Sequence, residues 1–432
     1  MDLNSYWIAP SLSRIRLNMK SMIAALAVLA CTAGAGFAQD KTPEEVAAAA
    51  AAASARATAL VEANTRPIAF DGGLSGPGAD FLRDQTQKAQ FVLLGEGHND
   101  HDTPLFAGAL FDGLRDWRAF DTLVVEIDPV AVDTLKLPAN RGKAEAAADL
   151  ARRYPNHIGF ASDQDLELMA HAAGVADLWG IEQVQSAQPL LEELTSLAPD
   201  AAVRAQVEAL LAQVKSLETG RDQFGAFLHG DPETLPRLQT LTTAFAAAPD
   251  SRAAFLLETM TTSAEIYSYY RRARAGEPVG LFNNTVREAL MKRLFLRQYR
   301  AAEAAGRTPR ALFKMGALHM YRGRNPNQAF PIGNFVHEFA ISNDAEAYGV
   351  YVVAQGYEDV SEPAWMAPLL SKPDQPVVID LRALQPTAKL FVDQVPVEQR
   401  PALRDFIYAF DALVILPNSQ KASFDRTGFP ER

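Results

Sequence analysis

Short apolar runs recur along this chain, and between them lie longer stretches in which apolar residues return every three or four positions. The runs at 91–94, 122–127, 178–181, 311–315, 348–353, 377–381 and 413–416 are apolar on successive residues, the pattern of strands covered on both faces. Strand and helix patterns in alternation predict an α/β fold with a mostly parallel central sheet and helices on both faces. The segment 187–276 breaks the alternation. It carries helical spacing at 190–197, 202–217 and 252–274 with no strand between, and the strand pattern resumes at 312–319. It reads as a helical insertion over the carboxyl edge of the sheet, inside a single domain at 67–432.

The longest apolar run, 22–31, follows Lys20 and leads into small residues, with Gly36 and Ala38 at the −3 and −1 positions of a signal-peptidase site. It is too short to remain as a membrane span. Residues 1–38 are therefore expected to be an upstream extension and signal peptide, with Met19 as the true start, and 39–66 an alanine-rich leader. A periplasmic or secreted protein without an integral span follows. The alternative is a lipoprotein anchored through Cys31, since Val28-Leu29-Ala30-Cys31 loosely matches a lipobox. Cys31 is the only cysteine, which excludes a disulfide and a thiolate zinc site.

With 432 residues, 48% of them hydrophobic and 22% charged, the chain has the composition of a globular protein with a large core. The net charge is −11 and the basic residues form no stripe, so a nucleic-acid partner is not expected. A small molecule or peptide is.

In open parallel sheets ligands bind beyond the carboxyl ends of the strands, so polar residues that follow apolar runs carry the most information. One run leads into Gly95-Glu96-Gly97-His98, where the two glycines predict a sharp turn. A second ends on Glu126, a third leads into Gly316-Ala317-Leu318-His319, and Glu182 follows a fourth. At neutral pH an imidazole such as His98 can take a proton from water if Glu96 or Glu126 fixes its tautomer. His319 would then polarise a carbonyl or protonate a leaving group, and Arg287 would hold a carboxylate or a developing oxyanion. The same histidines and acids also suit a divalent metal. No Gly-x-Ser-x-Gly nucleophile elbow occurs. His101, His157, His171, His229 and His337 are read as structural or surface residues, and Tyr267, Tyr269 and Tyr270 with Arg271, Arg272 and Arg274 as a packing and solvent-facing helix.

Taken in order, these blocks resemble the superfamily of erythromycin esterases, ChaN-type haem-binding proteins and TraB/Tiki proteins. The stretch Leu94-Gly95-Glu96-Gly97-His98 is similar to the family's opening Gly-Glu-x-His motif, and Val124-Val125-Glu126 to its second-strand acid. The block Arg287-Glu288-Ala289-Leu290-Met291 resembles the esterases' Arg-Asp-x-x-Met helix, 316–319 the late histidine motif in its TraB form, and 411–417 the final strand. Two departures stand out: the esterases place one more residue between Glu and His, and Lys292 and Arg293 stand where an asparagine usually follows. The resemblance implies a hydrolase that cleaves an ester or amide bond with His/Glu-activated water, using Glu96, His98, Glu126, Arg287 and His319, with Glu182 and Tyr321 against the substrate. A Tiki-like member would use a divalent metal. A ChaN-like member would instead bind haem, through a histidine or a tyrosine such as Tyr321.

Overall fold

The computed structural model describes residues 42–158, 160–219, 225–356 and 363–426. The expected signal segment, with Gly36, Ala38 and Cys31, lies outside them. Two compact units divide the chain at Arg56 and Ala57. The described part of the first, residues 42–56, is helical and opens with a reciprocal cap: Thr42 N–H donates to Glu45 Oε2 at 2.8 Å, and Glu45 N–H to Thr42 Oγ1 at 3.2 Å. The helix, Pro43–Ala63, is apolar and long enough to cross a membrane by length and composition alone. In the second unit its residues Ala57 and Val61 are buried in the core.

The second unit is α/β, built on one eight-stranded sheet. Its strands are β1 (Thr65–Pro67), β2 (Ala89–Glu96), β3 (Thr122–Val125), β4 (Asp177–Gly180), β5 (Ala311–Gly316), β6 (Glu346–Ala354), β7 (Val377–Asp380) and β8 (Ala412–Leu416). Their spatial order is β1-β7-β8-β6-β2-β5-β3-β4. All seven runs read from the sequence are strands. The pairs among β2, β3, β4, β5, β6 and β8 are parallel, whereas β7 runs antiparallel to both β8 and β1. Strand β1 was not expected, because three residues ending in proline carry no alternation to read.

The pleat sends alternate side chains into two cores, one on each face of the sheet. Phe91, Leu93, Val124, Trp179, Phe313 and Met315 fill one face. Val92, Leu94, Leu123, Leu178 and Leu312 fill the other, under Phe106, Leu110, Leu166 and Met169 of the helices Asp102–Arg118 and Asp163–Val175. This two-sided burial is why the strands read as unbroken apolar runs.

The segment 187–276 forms the helices Gln188–Leu197, Ala201–Leu217, Ala226–Gly230, Thr234–Phe245 and Arg252–Arg274. Side chains such as Leu190, Val207, Leu241 and Leu257 extend the core that contains Phe91 and Trp179. Polar caps start two of these helices, with Asp200 accepting from Val203 N–H and Ser251 from Ala254 N–H. The long helix Arg252–Arg274 lies against the stretch leaving β4, where Val184 N–H donates to Ser263 Oγ at 2.9 Å.

Strands β3 and β4 are joined closely at their carboxyl ends. A Cβ at Gly180 would lie 2.6 Å from Ile127 O and 2.7 Å from Asp128 O, both backbone atoms that cannot swing away. Gly180→Ala should therefore pry the two strand ends apart and lower stability by about 3 kcal/mol, read as a lower midpoint in urea unfolding. An unchanged midpoint would show that the segment after β3 yields more readily than its packing implies.

Candidate active site

Six strand-end and helix residues meet at the carboxyl edge of β2, β5, β3 and β4. Glu126 follows β3 directly, and its carboxylate is the centre of the group. Its Oε1 accepts from Arg287 Nη2 at 2.6 Å and lies 3.4 Å from His319 Nε2. Its Oε2 accepts from Gly316 N–H at 2.6 Å and lies 3.9 Å from His98 Nε2. The two imidazoles, 221 positions apart in the numbering, thus flank the two oxygens of one carboxylate.

Arg287 enters from the helix Phe282–Ala304, which precedes β5. Besides Glu126 it grips Glu182, two residues beyond β4, by Nε to Oε1 at 2.9 Å and by a second bond from Nη2 to Oε2. Burial of Arg287 opposes its charge, yet Glu182 and Glu126 hold its pKa above the ordinary value. Burial pushes Glu182 up, and Arg287 only partly offsets that. For Glu126 burial also works upward, but His319, Arg287 and His98 together carry it well below the usual carboxylate range. It is ionised.

The two histidines differ in kind. His319 sits on the short helix Ala317–Met320 with its side chain 9% exposed, and Nδ1 is 2.6 Å from Glu288 Oε1. The other oxygen of Glu288 accepts from Ile332 N–H at 2.7 Å. Burial and Arg287 disfavour the imidazolium, but Glu288 and Glu126 outweigh them and raise the pKa to about 10. His319 is a held cation. The His98 side chain is 47% exposed, and Nδ1 faces Glu96 Oε1 at 3.4 Å. Desolvation by its neighbours lowers its pKa, but the hydrogen bond to Glu96 and the charges of Glu126 and Glu96 leave it raised above 6.5.

The chain does not turn at the glycines of 95–98. Gly95 remains within β2, neither Gly95 nor Gly97 has a positive φ, and the left-handed residue is Asn99, at φ 73°. An asparagine tolerates that region better than most residues. The loop is then held by the C-terminal segment, with His101 N–H donating to Gln420 O and Ala422 N–H to Asn99 O, both at 2.9 Å.

Of the residues expected at the site, Glu96, His98, Glu126, Glu182, Arg287 and His319 come together. Tyr321 packs edge-on against Phe410 at 5.2 Å instead, and among the described residues no contact joins it to this group. The short helix Ala317–Met320 ends just before it. His101 pairs with Asp102, His171 with Asp112, His157 with Asp128 and His337 with Arg322, while His229 lies against Tyr270. Two further residues join the group without being singled out by the sequence pattern: Glu288, which neighbours Arg287, and Lys314, which donates to Glu96 at 2.8 Å and whose signal is a lone charge in an apolar run.

Glu126, Glu182 and His319 present ligand atoms within 4.8 Å of one another. The donor set does not fit a divalent ion, however. The Arg287 guanidinium already binds both carboxylates and Glu288 holds His319, so an ion would have to displace one cation and share the space with another.

No protein-family model matches the sequence, and no curated protein does. Among solved structures the chain is similar to a mutant of the erythromycin esterase EreC in its open conformation, with 16% identity and a TM-score of 0.50 over 80% of this chain and 94% of that one. A Bacillus cereus protein aligns with 12% identity and a TM-score of 0.55, and a succinoglycan biosynthesis protein with 11% and 0.57, each over 86% of this chain and 99% of the other. The fold is erythromycin esterase-like.

The state of His319 makes a stability prediction. Its folded pKa of about 10 lies above the ordinary 6.5, so its stabilising contribution is fully present below pH 6.5 and is lost as pH rises towards 10. His319→Gln should therefore be markedly less stable than wild type at pH 6, with the gap narrowing steadily by pH 10 in urea titrations. A gap independent of pH would mean that His319 is neutral in the folded protein.

Proposed function

We propose that this chain is an exported hydrolase that cleaves an ester or amide bond in a small molecule or peptide with water activated by His98. The observation that carries the reading is the contrast between two imidazoles on one carboxylate: His98 open to solvent, His319 buried between two acids and held as a cation. An erythromycin esterase-like fold supports the hydrolytic class.

A water bonded to His98 Nε2 and Glu126 Oε2 loses a proton to the imidazole as its oxygen bonds to the substrate carbonyl carbon. The carbonyl electron pair moves onto oxygen, where the positive charges of His319 and Arg287 stabilise it. Glu126 stabilises the imidazolium that forms. As the carbon–heteroatom bond breaks, His98 returns the proton to the leaving alcohol or amine, and the site is restored.

Chromogenic nitrophenyl esters and peptides test this with wild type and His98→Ala. The variant should lose at least about 100-fold in kcat/KM, and equal turnover by the two proteins would sink the role of His98. The base must be unprotonated, so activity should fall as pH drops through a midpoint above 6.5. It should fall again near pH 10, where His319 loses its charge. A chelator should leave turnover unchanged, and loss of activity restored by added divalent ion would overturn the metal-free step.

Export is a separate expectation. Expressed with its own N-terminus in a bacterial host, the chain should be recovered from the periplasm beginning at Gln39. A lipid-modified start at Cys31 would make it an anchored lipoprotein, and an uncut cytoplasmic chain would refute export.

A further inference from the structure

Lys314 is the one charge inside β5. Its neighbours Phe313 and Met315 fill one core, and its own side chain, 6% exposed, points to the opposite face, where Leu312 also lies. The ammonium has two anionic partners: Glu96 Oε1 at 2.8 Å and Asp165 Oδ1 at 2.6 Å. Glu96 ends the adjacent strand, β2. Asp165 stands in the first turn of the helix Asp163–Val175, where it closes a capping box with Ser162. A buried ion group of this kind is a poor way to add stability, because desolvation cancels most of the attraction and an apolar side chain would serve as well. Its geometry suggests a different use. The oxygen that receives Lys314, Glu96 Oε1, is the one that faces His98 Nδ1.

We propose that Lys314 is a positioning residue for His98: it anchors Glu96 so that Oε1 receives the Nδ1 proton, which leaves Nε2 facing Glu126, and its fixed charge offsets the acids around the imidazole. The inference rests on His98 as the base of the proposed reaction.

The charges around this group make the direction of the effect definite. His98 is faced by Glu96 from β2 and by Glu126 from the end of β3. Glu96 is faced by Lys314 from β5 and acts on Asp100 in the following loop, whose pKa burial and then Glu96 raise to about 6. Lys314 is faced by Asp165 from the helix above. Arg287 and His319 lie on the far oxygen of Glu126, so Lys314 is the cation on the Glu96 side, and removing it leaves the ring faced by Glu96 and Glu126, which hold its proton more tightly. The charge of Lys314 indeed acts to lower the pKa of His98, against Glu96 and Glu126. At the tautomer level, a Glu96 released from Lys314 is free to leave Nδ1, and Nε2 is then no longer the defined acceptor.

Nitrogen NMR of the full chain labelled at histidine reads both quantities without a substrate. The chain has seven histidines, and His98→Ala identifies the relevant signals. In wild type the neutral ring should carry its proton on Nδ1. In Lys314→Met the titration midpoint of His98 should rise by about one unit and the tautomer should become mixed, while Lys314→Arg, which keeps the charge, should stay close to wild type. If Lys314→Met does not fold, Asp165→Asn serves in its place. It removes an acid and leaves Lys314 on Glu96, so the midpoint should move down, opposite to general damage of the site. With an ester substrate, the acid limb of kcat/KM for Lys314→Met should follow the NMR midpoint, with about a tenfold loss of kcat near neutral pH and little change in KM. A folded Lys314→Met with the wild-type midpoint and tautomer overturns the proposal, as does an Asp165→Asn midpoint that rises. Full ester turnover by His98→Ala would instead overturn the reading of His98 as base, and the NMR result would still decide what Lys314 does.

Discussion

A guanidinium taken out of water has to find carboxylates, and Arg287 finds them on two strand ends at once. Its partners Glu126 and Glu182 lie 161 and 105 residues away in the chain, one directly after β3 and the other two residues beyond β4. Taking away one partner of such a buried group typically costs about 3–5 kcal/mol, because the other charge is left without compensation. The helix Phe282–Ala304 is therefore pinned to the carboxyl edge of the sheet at this point. Glu126 is fixed with it, and both histidines are arranged around Glu126. The site inherits its geometry from a structural clamp.

From that clamp a row of alternating charge crosses the strand ends. Asp165 meets Lys314, Lys314 meets Glu96, Glu96 faces His98, His98 faces Glu126, and Glu126 meets Arg287 and His319, whose outer partners are Glu182 and Glu288. Each acid in the row has a basic neighbour, which is how so many polar groups persist with little access to water. The row also separates the two histidines. His319 lies deep, between two acids within 3.4 Å, so its proton is held. His98 lies at the open end, with acids at 3.4 and 3.9 Å and a lysine behind one of them.

The strand ends were legible because two signals coincide there. Burial on both faces makes the strands unbroken apolar runs, and chemistry placed at their ends interrupts the runs with Glu96, Glu126, Glu182 and Gly316. Strand direction left no such mark, and β7 reads like the parallel strands although it runs against both β1 and β8. The glycines after β2 permit a turn, but steric permission is not a requirement, and the left-handed residue is Asn99. Glu288 escaped notice for a geometric reason. Consecutive helix residues point about 100° apart, so nothing in the sequence says that Arg287 and its neighbour serve one site. They do so because Arg287 reaches forward to Glu126 while Glu288 supports His319 from behind. Tyr321, two residues beyond His319 and just past the end of a four-residue helix, packs against Phe410.

The two glycine–histidine motifs, read separately in the sequence, prove to be interlocked. A Cβ at Gly316 would lie 2.7 Å from His98 Nε2 and 3.1 Å from Glu126 Oε2, so no side chain is possible there while the imidazole keeps its place. The same residue donates its N–H to Glu126 at 2.6 Å, a bond available only because the backbone comes so close. The glycine of the second motif thus makes room for the histidine of the first and holds the carboxylate between them. Three residues later the second motif supplies its own histidine to the other oxygen of that carboxylate. Parallel pairing of β2 with β5, which sets Glu96 opposite Gly316, puts the two motifs side by side in the required register. A shift of one residue in that pairing would separate His98 from Gly316 and turn Lys314 away from Glu96. The register that buries the apolar faces is therefore the register that assembles the site.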